Sequence, residues 1–326
     1  MTTIPISPAK IHISDKIASA VYEGLLSRPK WLPSWLFYDA AGSKLFDEIT
    51  RISEYYVTRT ERAILAEHAA EIVTRAAGGN VLRVVELGAG SVDKTRLLLT
   101  AAAERQDTVF YEPVDVSASA LVEAQLRIED ELPGVIVCPR VQDYTQDLEL
   151  DSTLPNERRL LMYIGSSIGN FEPGEALMLL ERVRAAMDPG DCFLLGVDLV
   201  KDESVLKDAY DDPGGVTAAF NRNVLTRLNR ELDADFNPAT FGHRAVWNAT
   251  EGRMEMHLVS AKDQEVWLPG IDLRVQFDVG ESIHTENSYK YKPGAAEALV
   301  SRAGFWPEVT WTDERGWFAV SLARAV

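Results

Sequence analysis

The stretch LRVVELGAGSVDKT (82–95) joins a short apolar run to a glycine-containing turn and then to a segment with helical spacing. The aliphatic residues 82–87 predict a buried strand, and the apolar positions of 92–104 predict a helix. Gly88 and Gly90 permit a tight turn and let a ligand approach the backbone where the helix begins. Such a strand–turn–helix unit is typical of α/β proteins that bind a nucleotide at the end of a parallel strand.

Strands and helices continue to alternate after this unit. The expected elements are strands at 108–116, 134–139, 158–165 and 192–199, and helices at 117–130 and from Pro173 to about Met187. Strands joined by helices of this length form a parallel sheet with right-handed crossovers. The segment FWPEVTWTDERGWFAVSLA (305–323) instead predicts two strands around a turn. It would add an antiparallel hairpin to the sheet.

Residues 1–59 and 200–285 do not follow this alternation. The helical stretch GGVTAAFNRNVLTRLNREL (214–232) precedes alternating, aromatic-rich strand candidates. We expect a second α+β lobe, which binds substrate, from these two segments. Residues 60–199 and 286–326 would form a Rossmann-like α/β domain whose sheet ends in an antiparallel hairpin. Class I methyltransferases, which use S-adenosylmethionine, are built in this way.

The bulk composition limits the partners. The chain has 326 residues and a formal net charge of −17 at pH 7. Such a field repels phosphate backbones and anionic lipid, so we expect no nucleic-acid or membrane partner. No secretory signal is visible, and no apolar stretch approaches the ~18 residues of a membrane span. Cys138 and Cys192, expected as buried thiols in strands, suit a reducing cytoplasm. We expect a cytoplasmic monomer.

The glycine turn discriminates among three nucleotide chemistries. A dinucleotide motif needs a third glycine, and a P-loop needs a glycine before Lys-Thr, but Asp93 occupies both positions. A carboxylate there would repel phosphates. S-adenosylmethionine carries a sulfonium, an ammonium and a carboxylate but no phosphate. The turn, with the acidic Glu86 at the strand end, therefore favours S-adenosylmethionine over phosphate-bearing cofactors. A plain βα turn without a ligand is the alternative.

Acidic residues after the next strands are candidates for contacts with the nucleoside. The acid that ends the second strand should hold the ribose hydroxyls. In nucleotide sites this acid lies ~20 residues beyond the glycines. Asp115, 25 residues after Gly90, is the first candidate, and Glu112 competes with it. Asp143 and Tyr144, after the third strand, either flank the adenine or are ordinary polar loop residues.

The segment GSSIG (165–169) offers a different function, because it matches the G-x-S-x-G motif with Ser167 as the nucleophile. A serine hydrolase would also need a downstream acid and histidine, such as Asp198 with His243 or His284. No HGGG-like oxyanion segment is present, and the helix does not begin directly after the serine. A hydrolase also leaves the glycine turn unexplained. It remains a remote alternative.

Asn170 follows these glycines at the end of the predicted strand, where open α/β sheets bind their ligands. Its amide both donates and accepts, which matches the carboxylate and amine of an amino acid. A helix N-cap is the competing role.

The five histidines show no metal-ligand spacing, either with each other or with the cysteines. They are His12, His68, His243, His257 and His284. We therefore expect no metal site.

Several long motifs together resemble one family. They are FYDAAGSKLFDEITRISEYYVTRTE (37–61), ELGAGSVDKT (86–95), GSSIGN (165–170), LVKD…AYDD…VTAAFNRNVL…NREL (199–231) and TENSYKY (285–291). They span almost the whole chain and look like the L-histidine Nα-methyltransferases of ergothioneine biosynthesis. The resemblance implies three successive methyl transfers from S-adenosylmethionine to the histidine amine, giving the betaine hercynine. It also implies a two-lobe architecture.

The resemblance assigns site residues by matching positions. It implies cofactor contacts at Tyr38, Phe46, Gly88, Lys94, Asp115, Asp143 and Tyr144. It implies contacts with the substrate's carboxylate and amine at Gly165, Asn170 and Tyr210, and with its imidazole at Tyr55, Met256, Glu286 and Ser288. A carboxylate and a hydroxyl can satisfy both ring nitrogens. Without the resemblance, Glu286 and Ser288 would be interpreted as a solvated strand end.

Two departures from the family pattern are visible. Val57 stands where the family often has proline, and the glycine turn has fewer hydroxyl groups than expected. Met256 and Glu286 are retained, which favours histidine over a tryptophan-like amine, the main alternative substrate.

The implied reaction is an in-line displacement at the sulfonium methyl by a neutral amine. No histidine is evidently placed as the base. The expected catalytic residues are Asn170, Tyr210 and Tyr55, with a tyrosine hydroxyl or desolvation assisting proton loss. A non-catalytic sensor of S-adenosylmethionine is the other alternative.

Overall fold

The computed structural model describes residues 8–90 and 92–326, with side chains from residue 16 onward. In this part of the chain the α-helices are α1 (Pro8–Leu26), α2 (Ala40–Ile49), α3 (Tyr56–Ala77), α4 (Thr95–Arg105), α5 (Ala118–Glu131), α6 (Pro173–Ala186), α7 (Glu203–Tyr210), α8 (Val216–Glu231) and α9 (Ala295–Arg302). The strands are β1 (Lys30–Trp31), β2 (Val81–Leu87), β3 (Val109–Asp115), β4 (Val135–Val137), β5 (Arg140–Val141), β6 (Glu157–Tyr163), β7 (Cys192–Asp198), β8 (Phe241–Asn248), β9 (Arg253–Ser260), β10 (Gln264–Leu268), β11 (Leu273–Phe277), β12 (Ser282–Tyr289), β13 (Phe305–Thr312) and β14 (Phe318–Ala325). Among the described residues, no helix combines the length and apolarity needed for a membrane span.

The chain divides into two compact units. The first unit comprises Met1–Tyr55 and Asp202–Ser288, and the second comprises Tyr56–Lys201 and Tyr289–Val326. The unit boundaries predicted from the sequence are 59/60, 199/200 and 285/286. The functions expected of the two segments remain predictions.

The second unit contains an eight-stranded sheet. Along it the strands run in the order β13-β14-β7-β6-β2-β3-β4, and β5 also pairs with β3. Strands β2, β3, β4, β6 and β7 are parallel, whereas β14 is antiparallel to both β7 and β13. This arrangement confirms the expected Rossmann-like sheet with a C-terminal antiparallel hairpin. The carboxyl ends of its parallel strands lie along one edge, where open α/β sheets bind ligands.

The central strands are almost continuously apolar because helices cover both faces of a parallel sheet. Strand β7 is buried along its whole length, and its Phe193 and Leu195 pack into one core with residues of α6 and α9. Cys192 lies in this strand and is buried, as expected. Cys138 is only partly buried. It lies outside the expected strand, because β4 ends at Val137.

The first unit is an α+β structure. Its main sheet has the order β1-β12-β9-β8, and β10 and β11 form a separate antiparallel pair. Asn221 on α8 is fully buried and ties the helix to this sheet. Its amide nitrogen donates to the His257 carbonyl, and its amide oxygen accepts from the Thr285 hydroxyl. The predicted helix at 214–232 and the strands after it are therefore both present.

Helix α2 begins at a side-chain cap that also contacts α8. Asp39 accepts a 2.7 Å hydrogen bond from the Gly42 backbone and a 2.9 Å bond from the Asn223 amide. A Cβ at Gly42 would lie 1.7 Å from the Phe37 carbonyl oxygen. Glycine is therefore required at position 42 for the first turn of α2 to pack.

Candidate active site

The glycine turn after β2 begins with a left-handed residue. Gly88 has φ of +71°, and its N–H donates a 2.9 Å hydrogen bond to the Val114 carbonyl at the end of β3. A Cβ at this position would lie 3.2 Å from the Tyr144 hydroxyl oxygen. Gly88 and Tyr144, both predicted as cofactor contacts, are therefore neighbours. Any side chain at 88 would be strained and would press on the tyrosine.

The acid at the end of β2 points into the protein. Glu86 is buried, and both of its carboxylate oxygens accept hydrogen bonds of 2.8 Å from the Thr95 hydroxyl at the start of α4. The Tyr111 hydroxyl donates to the same carboxylate. Burial raises the pKa of Glu86. Glu86 is therefore hydrogen-bonded within the protein, where it joins the strand to the helix. Its expected contribution to cofactor binding stays a prediction.

The two candidate acids of β3 have different environments. Glu112 is buried inside the strand and forms ion pairs with Arg83 and Arg140. Asp115 is the last residue of the strand and is partly exposed, and its Oδ1 accepts a 2.8 Å hydrogen bond from the Ser117 backbone. Burial raises the pKa of the Asp115 carboxyl. Of the two, only Asp115 presents a carboxylate at the strand end.

Asp143 and Tyr144 follow β5 in a loop that packs against the sheet. The Asp143 carboxylate accepts hydrogen bonds from the Thr145 backbone, at 3.1 Å, and from the Thr145 hydroxyl, at 2.5 Å. The Tyr144 ring meets the Tyr163 ring edge-on, with the centroids 5.8 Å apart. Burial raises the pKa of Tyr144 to about 12, so its hydroxyl is neutral at physiological pH. The loop therefore presents a fixed phenol beside Gly88.

Glu61, a buried carboxylate that was not predicted from the sequence, joins the predicted site residues Lys94 and Gly165. Glu61 on α3 is fully buried and forms an ion pair with the Lys94 ammonium. Its two oxygens also lie 2.8 and 2.9 Å from the backbone nitrogen of Gly165, which donates to them. A Cβ at Gly196 would lie 2.0 Å from Glu61 Oε1, so glycine leaves room for this carboxylate. Val57, Glu61 and Leu65 lie four residues apart on one buried face of α3. This helical spacing is the sequence signal that could have marked position 61 as buried.

The GSSIGN segment forms a strained turn and one turn of 3₁₀ helix. Gly165 and Ser166 have φ of +84° and +59°, and the helical turn runs from Ser167 to Asn170. A Cβ at Gly169 would lie 2.8 Å from the Tyr289 carbonyl oxygen, so this turn packs tightly against the backbone of Tyr289 in the same unit. Asn170 is partly exposed. The N-cap of α6 is Glu172, so the capping role considered for Asn170 is excluded.

The hydrolase arrangement is absent from this turn. The Ser167 hydroxyl donates a 3.2 Å hydrogen bond to the Ile164 carbonyl. Asp198, the acid that a triad would need, is fully buried and is paired with Lys201 and Lys290. Two cations hold this carboxylate, which leaves it without the histidine that a triad requires.

In the first unit, five predicted residues form a continuous line of contacts. The ring centroids of Tyr38 and Phe46 are 5.7 Å apart, those of Phe46 and Tyr55 are 6.2 Å apart, and those of Tyr55 and Tyr210 are 6.3 Å apart. The Tyr210 hydroxyl then donates a 2.7 Å hydrogen bond to Ser288 Oγ. Tyr38 and Phe46 were assigned to the cofactor and the other three to the substrate. All five lie in one unit.

The remaining predicted imidazole contacts lie on neighbouring strands of the same unit. Met256 on β9 is buried, and its carbonyl accepts a 3.0 Å hydrogen bond from the Thr285 hydroxyl on β12. Glu286 is partly exposed, two residues before the buried Ser288. The Glu286 carbonyl oxygen lies 3.0 Å from His284 Nε2. The sheet thus keeps Met256, Glu286 and Ser288 on adjacent strands.

A family described as "Histidine-specific methyltransferase, SAM-dependent" matches residues 17–325. The chain belongs to this family. The Histidine N-alpha-methyltransferase of Mycobacterium tuberculosis is 45% identical over 304 residues, 93% of each chain. That of Mycolicibacterium smegmatis is 44% identical over 323 residues, 98% of this chain and 99% of the relative. Ergothioneine biosynthesis protein 1 of Schizosaccharomyces pombe is 28% identical over 281 residues, 84% of this chain and 36% of that protein.

The second unit of this histidine-specific methyltransferase suits S-adenosylmethionine, the cofactor that its family uses. Asp115 presents a carboxylate at the end of β3, and a Cβ at Gly88 would lie 3.2 Å from the Tyr144 hydroxyl oxygen. Lys94, which follows this turn in the sequence, is already paired with Glu61. Asp93 is paired with Arg127. The neighbourhood is therefore suited to a ligand without phosphates.

Proposed function

We propose that this protein is an L-histidine Nα-methyltransferase that converts histidine to hercynine in ergothioneine biosynthesis, with S-adenosylmethionine as methyl donor. The observation that carries the proposal is the end of β12, which bears a carboxylate, Glu286, and a buried hydroxyl, Ser288, two residues apart. Membership of a histidine-specific family supports it. A relative named for ergothioneine biosynthesis supports the pathway. The three methyl transfers are what the family resemblance implies.

Recognition of the imidazole follows from the direction of one hydrogen bond. Because the Tyr210 hydroxyl donates to Ser288 Oγ, Ser288 is the acceptor in that bond and its own hydroxyl proton is directed elsewhere. A neutral imidazole has one N–H donor and one acceptor nitrogen. We propose that Glu286 accepts from the ring N–H while Ser288 donates to the other nitrogen. An indole has no acceptor nitrogen, so it would leave the serine proton unpaired, and such sites discriminate strongly.

The α-amino and α-carboxylate groups need both donors and acceptors. We propose that Asn170 fills this role, with its amide donating to the carboxylate and accepting from the amine. The Gly165 N–H is already taken by Glu61. Any contribution of Gly165 would therefore come from its carbonyl oxygen, which can accept from an amine N–H.

The chain's contribution to methyl transfer is alignment. S-adenosylmethionine, when bound, supplies a methyl group on a positively charged sulfur. Holding the amine lone pair in line with it can lower the barrier by about 7–11 kcal/mol. We propose that the hydroxyl oxygens of Tyr55 and Tyr210 accept hydrogen bonds from the remaining amine hydrogens and so orient the lone pair. After a third transfer no lone pair remains, and the series ends.

Mass spectrometry of the products tests the proposal. The protein is incubated with S-adenosylmethionine and each of the twenty amino acids in separate reactions. We expect a product with three additional CH₂ units from histidine alone. A product from tryptophan but not from histidine would contradict the assignment of the substrate. Tight cofactor binding without turnover of any amino acid would instead indicate a sensor.

A further inference from the structure

Two strands of the first unit bring together three side chains that can bind a metal ion. Glu255 and His257 lie two residues apart on β9, and His284 lies on the neighbouring strand β12. One donor atom from each residue lies within 4.8 Å of the others. The His257 and His284 rings are stacked with centroids 4.7 Å apart and planes inclined by 26°. The sequence did not predict this cluster, because the residues meet only through strand pairing.

Hydrogen bonds to neighbouring groups orient the side chains of Glu255 and His284. Oε1 of Glu255 accepts 2.9 Å hydrogen bonds from Asn248 and Arg253, while Oε2 lies 3.2 Å from His257 Nε2. His284 Nε2 lies 3.0 Å from the Glu286 carbonyl oxygen and can only donate to it. The other nitrogen of His284, Nδ1, therefore carries the lone pair. Backbone and amide partners of this kind fix the tautomer and direction of metal ligands.

His257 has one buried ring nitrogen for which the described residues provide no partner. Its Nδ1 is buried and makes no hydrogen bond within the described part of the chain. A buried imidazole nitrogen without a hydrogen-bond partner is unfavourable, and coordination of a metal ion would satisfy it.

We propose that Glu255, His257 and His284 form a binding site for a divalent transition-metal ion of the zinc type. Two imidazoles and one carboxylate are a donor set that zinc takes readily, whereas magnesium and calcium prefer oxygen ligands alone. Ligand atoms around tetrahedral zinc lie about 3.3 Å apart. Glu255 Oε2 and His257 Nε2 already have this spacing, at 3.2 Å. The fourth position would hold water or a small ligand.

Two arginines interact with residues of the cluster. The Arg253 side chain is bound to Oε1 of Glu255, on the side of that carboxylate away from His257. Arg244 is exposed and lies opposite His257 in the β8–β9 register. Its positive charge interacts with His257 and opposes a bound cation. Replacing Arg244 by Gln should therefore tighten zinc binding severalfold.

Occupancy of the site would connect β9 to β12. His284 is bonded to the backbone of Glu286, so an ion on His284 would also restrain the strand that carries the proposed imidazole contacts. This consequence rests on the proposed function. The binding of the ion does not.

Calorimetry with zinc chloride tests the site on the full chain without a polyhistidine tag. We expect one equivalent to bind, with affinity reduced about tenfold or more in His257→Ala and in His284→Ala. His68→Ala is the matched control, because His68 stacks on Trp311 in the second unit and should leave the affinity unchanged. Circular dichroism verifies that each variant is folded.

Cobalt provides a second measurement that does not depend on activity. Tetrahedral Co²⁺ absorbs visible light, and Glu255→Gln, which keeps the size of the side chain, should reduce that absorption. Cys138→Ser should leave it unchanged. The proposal is overturned if the folded wild-type protein binds neither ion at micromolar concentration. It is equally overturned if His257→Ala binds zinc as tightly as wild type.

Discussion

The carboxylate of Glu61 accepts hydrogen bonds from the backbone N–H of Gly165, with its two oxygens 2.8 and 2.9 Å from that nitrogen. The same carboxylate is paired with Lys94. One buried side chain on α3 therefore joins the start of α4 to the turn after β6. Because Glu61 touches Gly165 and Lys94 rather than a ligand, it is a positioning residue.

Replacing Glu61 by Gln should weaken cofactor binding and stability together. The change leaves the Lys94 ammonium without its partner, and breaking a buried ion pair costs about 3–5 kcal/mol. We expect the free energy of unfolding to fall by about 3 kcal/mol and the KM for S-adenosylmethionine to rise about tenfold. Denaturant titration and steady-state kinetics measure the two effects.

Glu67→Gln is the control for that experiment, because Glu67 lies on the same helix and its side chain is 76% exposed. It should match wild type in both measurements. The double variant Glu61→Gln with Lys94→Met removes the unpaired charge and should recover part of the lost stability. If Glu61→Gln binds the cofactor as wild type does, the positioning role is wrong.

Gly88→Ala should impair cofactor binding. Its φ of +71° strains any other residue by about 1–2 kcal/mol, and the new methyl group would press on the Tyr144 hydroxyl. Isothermal titration with S-adenosylhomocysteine measures the loss. Gly174→Ala is the matched control, since it lies in a helix with open space around it and should bind normally. Equal affinity of the two variants would contradict the proposed role of the Gly88 turn in cofactor binding.

Changing each of the two acids of β3 to its amide should affect different properties of the protein. Asp115→Asn should lower cofactor affinity about tenfold while the melting temperature stays within a few degrees of wild type. Glu112→Gln should lower the melting temperature while cofactor affinity stays near wild type, because the Glu112 carboxylate pairs with Arg83 and Arg140 inside the sheet. Thermal unfolding and cofactor titration on both variants provide the comparison. A loss of affinity in Glu112→Gln alone would reverse the assignment.

Much of the second unit could be predicted from local patterns in the chain. Apolar runs such as 82–87 and 192–199 are long enough to identify buried strands, and the helices between them require a parallel sheet. The Asp-Glu-Arg-Gly turn marked the C-terminal hairpin, where Asp313 accepts hydrogen bonds from the backbones of Trp317 and Phe318. These features depend on neighbours in sequence, which the pattern records.

Side-chain partners far apart in sequence could not be predicted in this way. Glu61 and Gly165 are separated by 104 residues, so no spacing indicates their bond. Glu86 resembled a ligand-binding acid because it ends a strand, but the direction of its side chain depends on Thr95 and Tyr111. The histidine cluster depends on the pairing of β9 with β12, which periodicity alone does not reveal.

Ser288→Ala and Tyr210→Phe should show coupled effects on histidine turnover. Each removes one side of the 2.7 Å hydrogen bond that orients the serine proton. We expect each to lower kcat/KM for histidine by about tenfold to a hundredfold, and the double variant to lose less than the product of the two. Strictly multiplicative losses would show that the two hydroxyls act independently.

The most direct test of the central claim is kcat/KM for L-histidine in Glu286→Gln, measured beside the cofactor affinity of the same variant. If the Glu286 carboxylate accepts from the imidazole N–H, kcat/KM should fall by about a hundredfold or more while the Kd for S-adenosylhomocysteine stays at its wild-type value. An unchanged kcat/KM for histidine would contradict the account.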